Sequence, residues 1–260
     1  MDRLEKRIKY TIIFNIRTGD HDKIMNKKRT VAEMSTYFNG EVERFSNLER
    51  GQESIKDARL MMDLLAETAS ALLPEVRELL DIGCGAGNQT LNLLKVFPSA
   101  NCTLLDISPS MLERAKERVE AAAEGKVSII NRDFRTAELP EGGFDLIVAA
   151  AVLHHLRDDS DWTLAFSKIH SLLKPGGVLL ISDLIKHDNP KIEALFKVRQ
   201  EKFLRETLGD SEAERMMLSI QESDTPSSLE YQFALLRKIG FREVGLLHKN
   251  LVFGAYYARK

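Results

Sequence analysis

The stretch Leu79–Thr90, LLDIGCGAGNQT, sets glycines at 83, 85 and 87 directly behind a short apolar run that carries Asp81. Glycine adopts backbone angles closed to other residues and lets a ligand lie against bare main chain; a helix starting behind the loop would add free N–H groups. The spacing Gly83-x-Gly85-x-Gly87 is not the dinucleotide fingerprint, whose third glycine follows three residues after the second, and no G-x-x-x-x-G-K-[ST] loop occurs. Taken alone, the loop reads either as a ligand cradle, with Cys84 inside it, or as a tight structural turn. Asp81 would repel a pyrophosphate; it attracts an ammonium group or stabilises the loop. Asp106, at the end of CTLLD, stands close to the ~20-residue spacing at which an acidic side chain grips a ribose diol.

Further along, Asp133-Phe134 in NRDFRT pairs an acceptor suited to an adenine amino group with a flat wall for its ring. In FDLIVAAAVLHHL the small residues Ala149 and Ala150 leave room for a ligand at the carboxyl end of a strand, where open α/β sheets place their sites. His154 and His155 follow, and histidine titrates near neutral pH. Adjacent residues rarely turn both rings to one site, so at most one of them, His154 as the candidate, is expected to face an acceptor. The spacing of His and Cys suggests no metal site. Trp162 reads as a helix-packing aromatic, and the Pro-Gly-Gly turn at 175–177 as structural.

These residues need a scaffold, and the chain supplies a regular one. Apolar runs at Glu78–Ile82, Thr103–Asp106, Val127–Asn131, Phe144–Ala150 and Gly177–Asp183 alternate with helical patterns at Gln89–Phe97, Pro109–Gly125 and Trp162–Leu173. Continuous apolar strands alternating with helices predict a parallel sheet covered on both faces. Ser108 followed by Pro109 is a helix-start signal. Helices are also expected at Pro190–Leu208, Ser211–Gln221 and Ser227–Ile239. The tail reads as strands Phe241–Leu247 and Leu251–Ala258 joined at Lys249-Asn250, a connection short enough only for an antiparallel pair. Residues 1–50 are expected to form a helical arm or cover and 51–260 the main domain, with 190–221 as a helical cover insertion.

Composition narrows the setting. In 260 residues, 43% hydrophobic and 29% charged with a net charge of −2, there is a large core and no global field for nucleic acid. The basic N-terminus, with its apolar segment Thr11–Ile16, lacks a cleavage signal; it reads as an arm packing on the domain or on a second copy, with a nucleic-acid contact as the alternative. No apolar run approaches the ~20 residues of a membrane span. Cys84 and Cys102, placed at opposite ends of parallel strands, are not expected to bond, so a cytoplasmic setting is the default.

In this order, the glycine loop, Asp106, Asp133-Phe134, the small-residue exit and the hairpin resemble the class I S-adenosylmethionine-dependent methyltransferases. The resemblance covers about Glu75–Asp183 and extends through the hairpin. It implies a seven-stranded, Rossmann-like α/β sheet, mostly parallel, with an antiparallel C-terminal strand and helices on both faces. It further implies S-adenosylmethionine as cofactor and methyl transfer to a small-molecule acceptor. Gly83–Gly87 would run along the methionine end, Asp106 would bind the ribose, and Ile107, Met111, Asp133 and Phe134 would border the adenine. The segments FNGEVERF, SEAERMML and the C-terminal tail resemble the carboxy-S-adenosylmethionine synthases, in which an arginine after the fifth strand binds the extra carboxylate. Arg215 matches that position and reads equally as an exposed cation. The chain departs from that family with Ala150 in place of Asn and with Gly51-Gln52 in place of Gly-Tyr. A third alternative is a non-catalytic cofactor-binding module whose basic N-terminus meets RNA or another partner.

Overall fold

The computed structural model describes residues 28–47 and 51–260. The segment Thr11–Ile16 and most of the expected N-terminal arm lie outside the described residues. In chain order the elements are α1 (Val31–Asn39), α2 (Val42–Ser46), α3 (Ala58–Leu72), β1 (Glu78–Ile82), α4 (Asn88–Leu94), β2 (Asn101–Asp106), α5 (Pro109–Glu120), β3 (Val127–Asn131) and β4 (Phe144–Ala150). After a 3₁₀ turn at Leu153–His155 come α6 (Asp159–Leu172), β5 (Leu173–Leu184), α7 (Pro190–Leu208), α8 (Asp210–Ser223), α9 (Leu229–Ile239), β6 (Glu243–Asn250) and β7 (Phe253–Arg259).

The seven strands form one sheet in the order β3-β2-β1-β4-β5-β7-β6. The first five are parallel neighbours, and β7 runs antiparallel between β5 and β6. Side chains alternate between faces with period two. Leu79, Leu104, Leu146, Val148 and Leu180 pack on one side with Leu65 and Ala69 of α3 and Leu93 of α4. Leu80, Ile82, Leu105, Ile147, Ala149 and Ile181 pack on the other with Trp162 and Phe166 of α6 and Leu236 of α9. Because β1, β2, β4 and β5 all point the same way, their carboxyl ends meet along one edge of the sheet.

Local signals account for most boundaries. Ser108 accepts the Met111 N–H at 3.2 Å and Pro109 opens α5. Asp158 caps α6 by accepting from Ser160 N and Asp161 N, so that helix starts at Asp159 rather than at Trp162. Helix α5 stops at Glu120, short of the expected Gly125, whose Cβ would stand 2.4 Å from the Ala100 carbonyl oxygen. Helix α3, absent from the elements expected above, is an apolar stripe of Met61, Met62, Leu65, Ala66 and Ala69 at helical spacing. The hairpin turn falls at Leu251-Val252 instead of Lys249-Asn250. Asp57 holds the end of β6 by accepting from Asn250 Nδ2 at 2.7 Å and meeting His248 Nε2 at 2.9 Å, while Val252 is buried in the core. Among the described residues no helix is long and apolar enough to cross a membrane.

Trp162 is 3% exposed and meets Phe166 edge-on at 5.4 Å between ring centroids. Trp162→Ala should cost about 3–5 kcal/mol, read as a lowered midpoint in chemical denaturation with an unchanged slope.

Candidate active site

The strand ends open into a cavity of about 500 Å³, within the range of small-molecule sites. Its floor is the loop behind β1. Gly83 and Cys84 donate their N–H groups to the Leu105 carbonyl at 2.7 and 3.0 Å, pinning the loop to β2. Gly83 has φ +67°, and a Cβ there would stand 2.4 Å from Val152 Cγ2; Gly85 has φ +51° with open space where its side chain would be. Both positions therefore demand glycine, the first for packing and backbone and the second for backbone. Gly87 does not line the cavity: at φ +82° it starts α4 against Val119 and Ala115 of α5. Cys84 lines the cavity with its thiol pushed well above its usual range by burial, and among the described residues both cysteines are free.

Asp106 joins this floor to the next strand. Its Oδ2 accepts the Gly85 N–H at 2.9 Å and its Oδ1 the Ser108 N–H at 2.8 Å; burial raises its pKa. Asp81 is more buried still. Its Oδ2 accepts from Thr90 Oγ1 at 2.5 Å, but among the described residues its Oδ1 has no donor, and burial pushes its pKa up to about 7. Nearby Gln89, 5% exposed, has neither side-chain amide atom partnered among the described residues. Buried polar groups are ordinarily hydrogen-bonded, so the orphaned carboxylate oxygen and amide mark a place for a ligand with both a donor and an acceptor.

Other expected residues fall less uniformly. Ile107 and Met111 line the cavity, and the Ile107 carbonyl accepts Ser35 Oγ of α1 at 2.9 Å. Phe134 lines it too, packed into the core. Asp133 lines the cavity, but its carboxylate accepts the backbone N–H and side-chain Nε and Nη2 of Arg135, so the acceptor offered to an adenine amino group is already engaged. Ala150 lines the cavity while Ala149, on the opposite face of the pleat, is fully buried in the core. Arg215 points away. It pairs with Glu212 at 2.5 Å and Glu41 at 3.2 Å and lies outside the cavity. The face of α8 that does line it is Met216, Ser219, Ile220 and Ser223, a helical stripe that Arg215 misses by one residue, about 100° of turn.

Both histidines reach the cavity, against the expectation of one. Ala151, held at φ +54° with its N–H on the Ser182 carbonyl, turns the chain out of β4 and into the 3₁₀ turn. Asp183, at the carboxyl end of β5, then accepts the N–H groups of Leu153 (2.7 Å), His154 (3.2 Å) and Leu184 (2.7 Å) and hydrogen-bonds to His154 Nδ1. In the neutral ring that contact keeps the proton on Nδ1, facing the carboxylate, and leaves Nε2 as the proton acceptor. Asp224, just past α8, lies 3.6 Å from His154 Nε2 and 3.3 Å from His155 Nδ1. Burial alone would lower His154, but Asp183 and Asp224 overcome both it and the opposing Arg157, raising it to about 9. His155 moves the other way, lowered by burial and by the charge of His154. Asp183 was accessible to the rule that sites gather at strand carboxyl ends, which singled out Ala149 and Ala150. Asp224 carried no local signal.

The upper wall is laced together from distant segments. Lys28 Nζ donates to the Gln221 and Asp224 carbonyls at 2.5 and 2.7 Å. Arg29 donates to Ser219 Oγ, Ser223 Oγ and Glu222, and Arg157 donates to the carbonyls of Ser223 and Arg29.

Comparisons with known proteins bear on the fold. A methyltransferase domain family model matches residues 79–177. The chain is 25% identical over 213 residues to a carboxy-S-adenosyl-L-methionine synthase of Vibrio atlanticus, covering 80% of this chain and 87% of that protein. It is 37% identical over 102 residues to an uncharacterized methyltransferase of Mycobacterium tuberculosis; the match covers 39% of this chain and 48% of that protein, about half its length. Among solved structures, the N-methyltransferase NodS of Bradyrhizobium japonicum with S-adenosyl-L-homocysteine superposes with a TM-score of 0.57 at 20% identity, covering 85% of this chain and 97% of that one.

Histidine side-chain NMR tests the electrostatics. One imidazole should titrate near 9 and a second below the ordinary value of 6.5. Asp183→Asn, which removes the attraction that raises His154, should move the high titration down.

Proposed function

We propose that this chain, a class I S-adenosylmethionine-dependent methyltransferase, transfers the methyl group to a small molecule enclosed between the strand ends and a cover formed by the N-terminal segment and residues 190–221. The observation that carries the proposal is the His154–Asp183 pair, a fixed proton acceptor at the same strand ends as the glycine loop.

The cavity floor fits the cofactor. Asp81 Oδ1 would accept from its ammonium and Gln89 would meet its carboxylate, with the bare backbone at Gly83 and Gly85 admitting the chain between them. Asp106 would hold the ribose with lone pairs not used by Gly85 and Ser108, and Ile107, Met111 and Phe134 would border the base. When bound, the cofactor supplies a methyl group already activated on a sulfonium. The protein's task is then chiefly alignment, which can supply ~7–11 kcal/mol, and removal of a proton from the acceptor. His154 Nε2 takes that proton, and Asp183 balances the imidazolium that results.

The carboxy-S-adenosylmethionine synthase alternative is supported by the Vibrio relative and weakened by Arg215, which faces Glu212 and Glu41. Mass spectrometry of the co-purifying ligand separates the two, a carboxylated cofactor overturning the methyltransferase proposal.

His154→Gln should lower kcat about 10²–10⁴-fold, the usual contribution of general-base catalysis, while calorimetry finds S-adenosylhomocysteine binding unchanged. Since His154 must be neutral to act and is held protonated up to about 9, kcat/KM should climb with pH until about 9. Asp106→Ala should weaken S-adenosylhomocysteine binding about 10- to 100-fold, as expected when a buried acceptor is lost; unchanged affinity would end its assignment to the ribose.

A further inference from the structure

We infer that the acceptor is an uncharged aromatic hydroxyl, a phenol whose ring lies among Met34, Phe38, Met216 and Ile220 and whose oxygen meets His154 Nε2. The inference rests on the reading of His154 as the base.

The walls suit a flat apolar ring. Helix α1 contributes Val31, Met34 and Phe38, and α8 contributes Met216 and Ile220. Phe38 stands edge-on to His155, 5.9 Å between centroids, beside the base itself. Thioethers adapt to irregular contours and favour contact with aromatic rings, and aromatic side chains pack offset or edge-on against others.

Charge argues against the other acceptor classes. The guanidinium groups of Arg29 and Arg157 line the cavity but are committed to Ser219, Ser223, Glu222 and backbone carbonyls. Arg44 and Arg135, which also line the cavity, are held by Glu41 and by Asp133 and Asp161, and Arg132 stands with them on the loop behind β3. Beside His154 itself, Asp183 and Asp224 would repel a carboxylate or phosphate acceptor. An ammonium acceptor fares no better. Asp183 is filled by three N–H groups and the His154 ring, while Asp224 faces both imidazoles and lies near Lys28.

Acidity selects among hydroxyls. The groups facing His154 are Asp183 from β5, Asp224 from beyond α8, His155 from its own turn and Arg157. Asp183 and Asp224 raise it to about 9 against burial and Arg157, close to the ~10 of a phenol and far from an aliphatic alcohol, near water's ~15.7. The proton passes from the phenol oxygen to His154 Nε2. The oxygen's lone pair bonds the methyl carbon, the carbon–sulfur bond breaks, and its electron pair returns to sulfur, leaving S-adenosylhomocysteine and the aryl methyl ether.

The test offers the full chain with methyl-labelled S-adenosylmethionine a set of phenols of one to three rings, including 2-naphthol, beside cyclohexanol, benzoate and benzylamine. Methyl transfer to at least one phenol should exceed the other three classes tenfold or more in kcat/KM. Binding of that phenol in the presence of S-adenosylhomocysteine should weaken at least tenfold in Met216→Glu while cofactor affinity is kept. Preference for the alcohol, the carboxylate or the amine, or cofactor binding without transfer to any phenol, overturns the inference and leaves the cofactor assignment standing. Failure to bind S-adenosylmethionine or its product, read by calorimetry, instead overturns the reading beneath it.

Discussion

Three carboxylates, Asp81, Asp106 and Asp183, are buried at the carboxyl ends of β1, β2 and β5, and a buried charge is tolerable only when it is met. Each is met differently, and the differences organise the site. Asp183 is saturated by backbone N–H groups from the exits of two strands and by the His154 ring, so it fixes a side chain. Asp106 is satisfied by two backbone N–H groups and ties the glycine loop to the start of α5. Asp81 keeps one oxygen that no described residue meets. Position along the sheet thus sets one carboxylate on an imidazole and one on the main chain of the floor, and leaves an oxygen of the third open among the described residues.

The cover works by a different logic. Its polar atoms mostly satisfy one another, through Lys28, Arg29 and Arg157 against the end of α8, while Met34, Phe38, Met216 and Ile220 give the cavity an apolar wall. Cations close to a cavity ordinarily suggest anion binding. Here their hydrogen bonds run into carbonyls and hydroxyls of the cover itself, which converts three positive side chains into fasteners.

What could be read along the chain was whatever neighbouring residues decide among themselves. The strands announced themselves as apolar runs, and the loop as glycines that only a positive φ explains. The Asp106 turn showed itself through Ser108-Pro109. Features that depend on the phase of a helix or on contacts across the fold stayed hidden. Arg215 and Met216 are adjacent in sequence, and only the packing of α8 reveals which one faces inward. Ala149 and Ala150 differ by a single step of the pleat. Asp224 joins His154 and His155 across some 70 residues, and the hairpin turn moved because Asp57, far upstream, holds Asn250 in the strand. Asp183 was readable in principle, since it lies at the end of a strand as Asp106 does, but the Pro-Gly-Gly stretch at 175–177, which the structure places inside β5, drew the structural interpretation instead.

The sheet order has a consequence for biosynthesis. Strand β5 is flanked on one side by β4 and on the other by β7, which follows it in sequence only after three helices and β6. Until β7 has been synthesised, β5 presents an apolar edge with unpaired main-chain groups, the kind of edge that recruits strands from other chains. Closing it depends on contacts of long sequence separation, which form slowly. The nascent chain is therefore most prone to aggregate after residue 184 has emerged and before residues 253–259 insert, a window that a chaperone shielding this edge would cover.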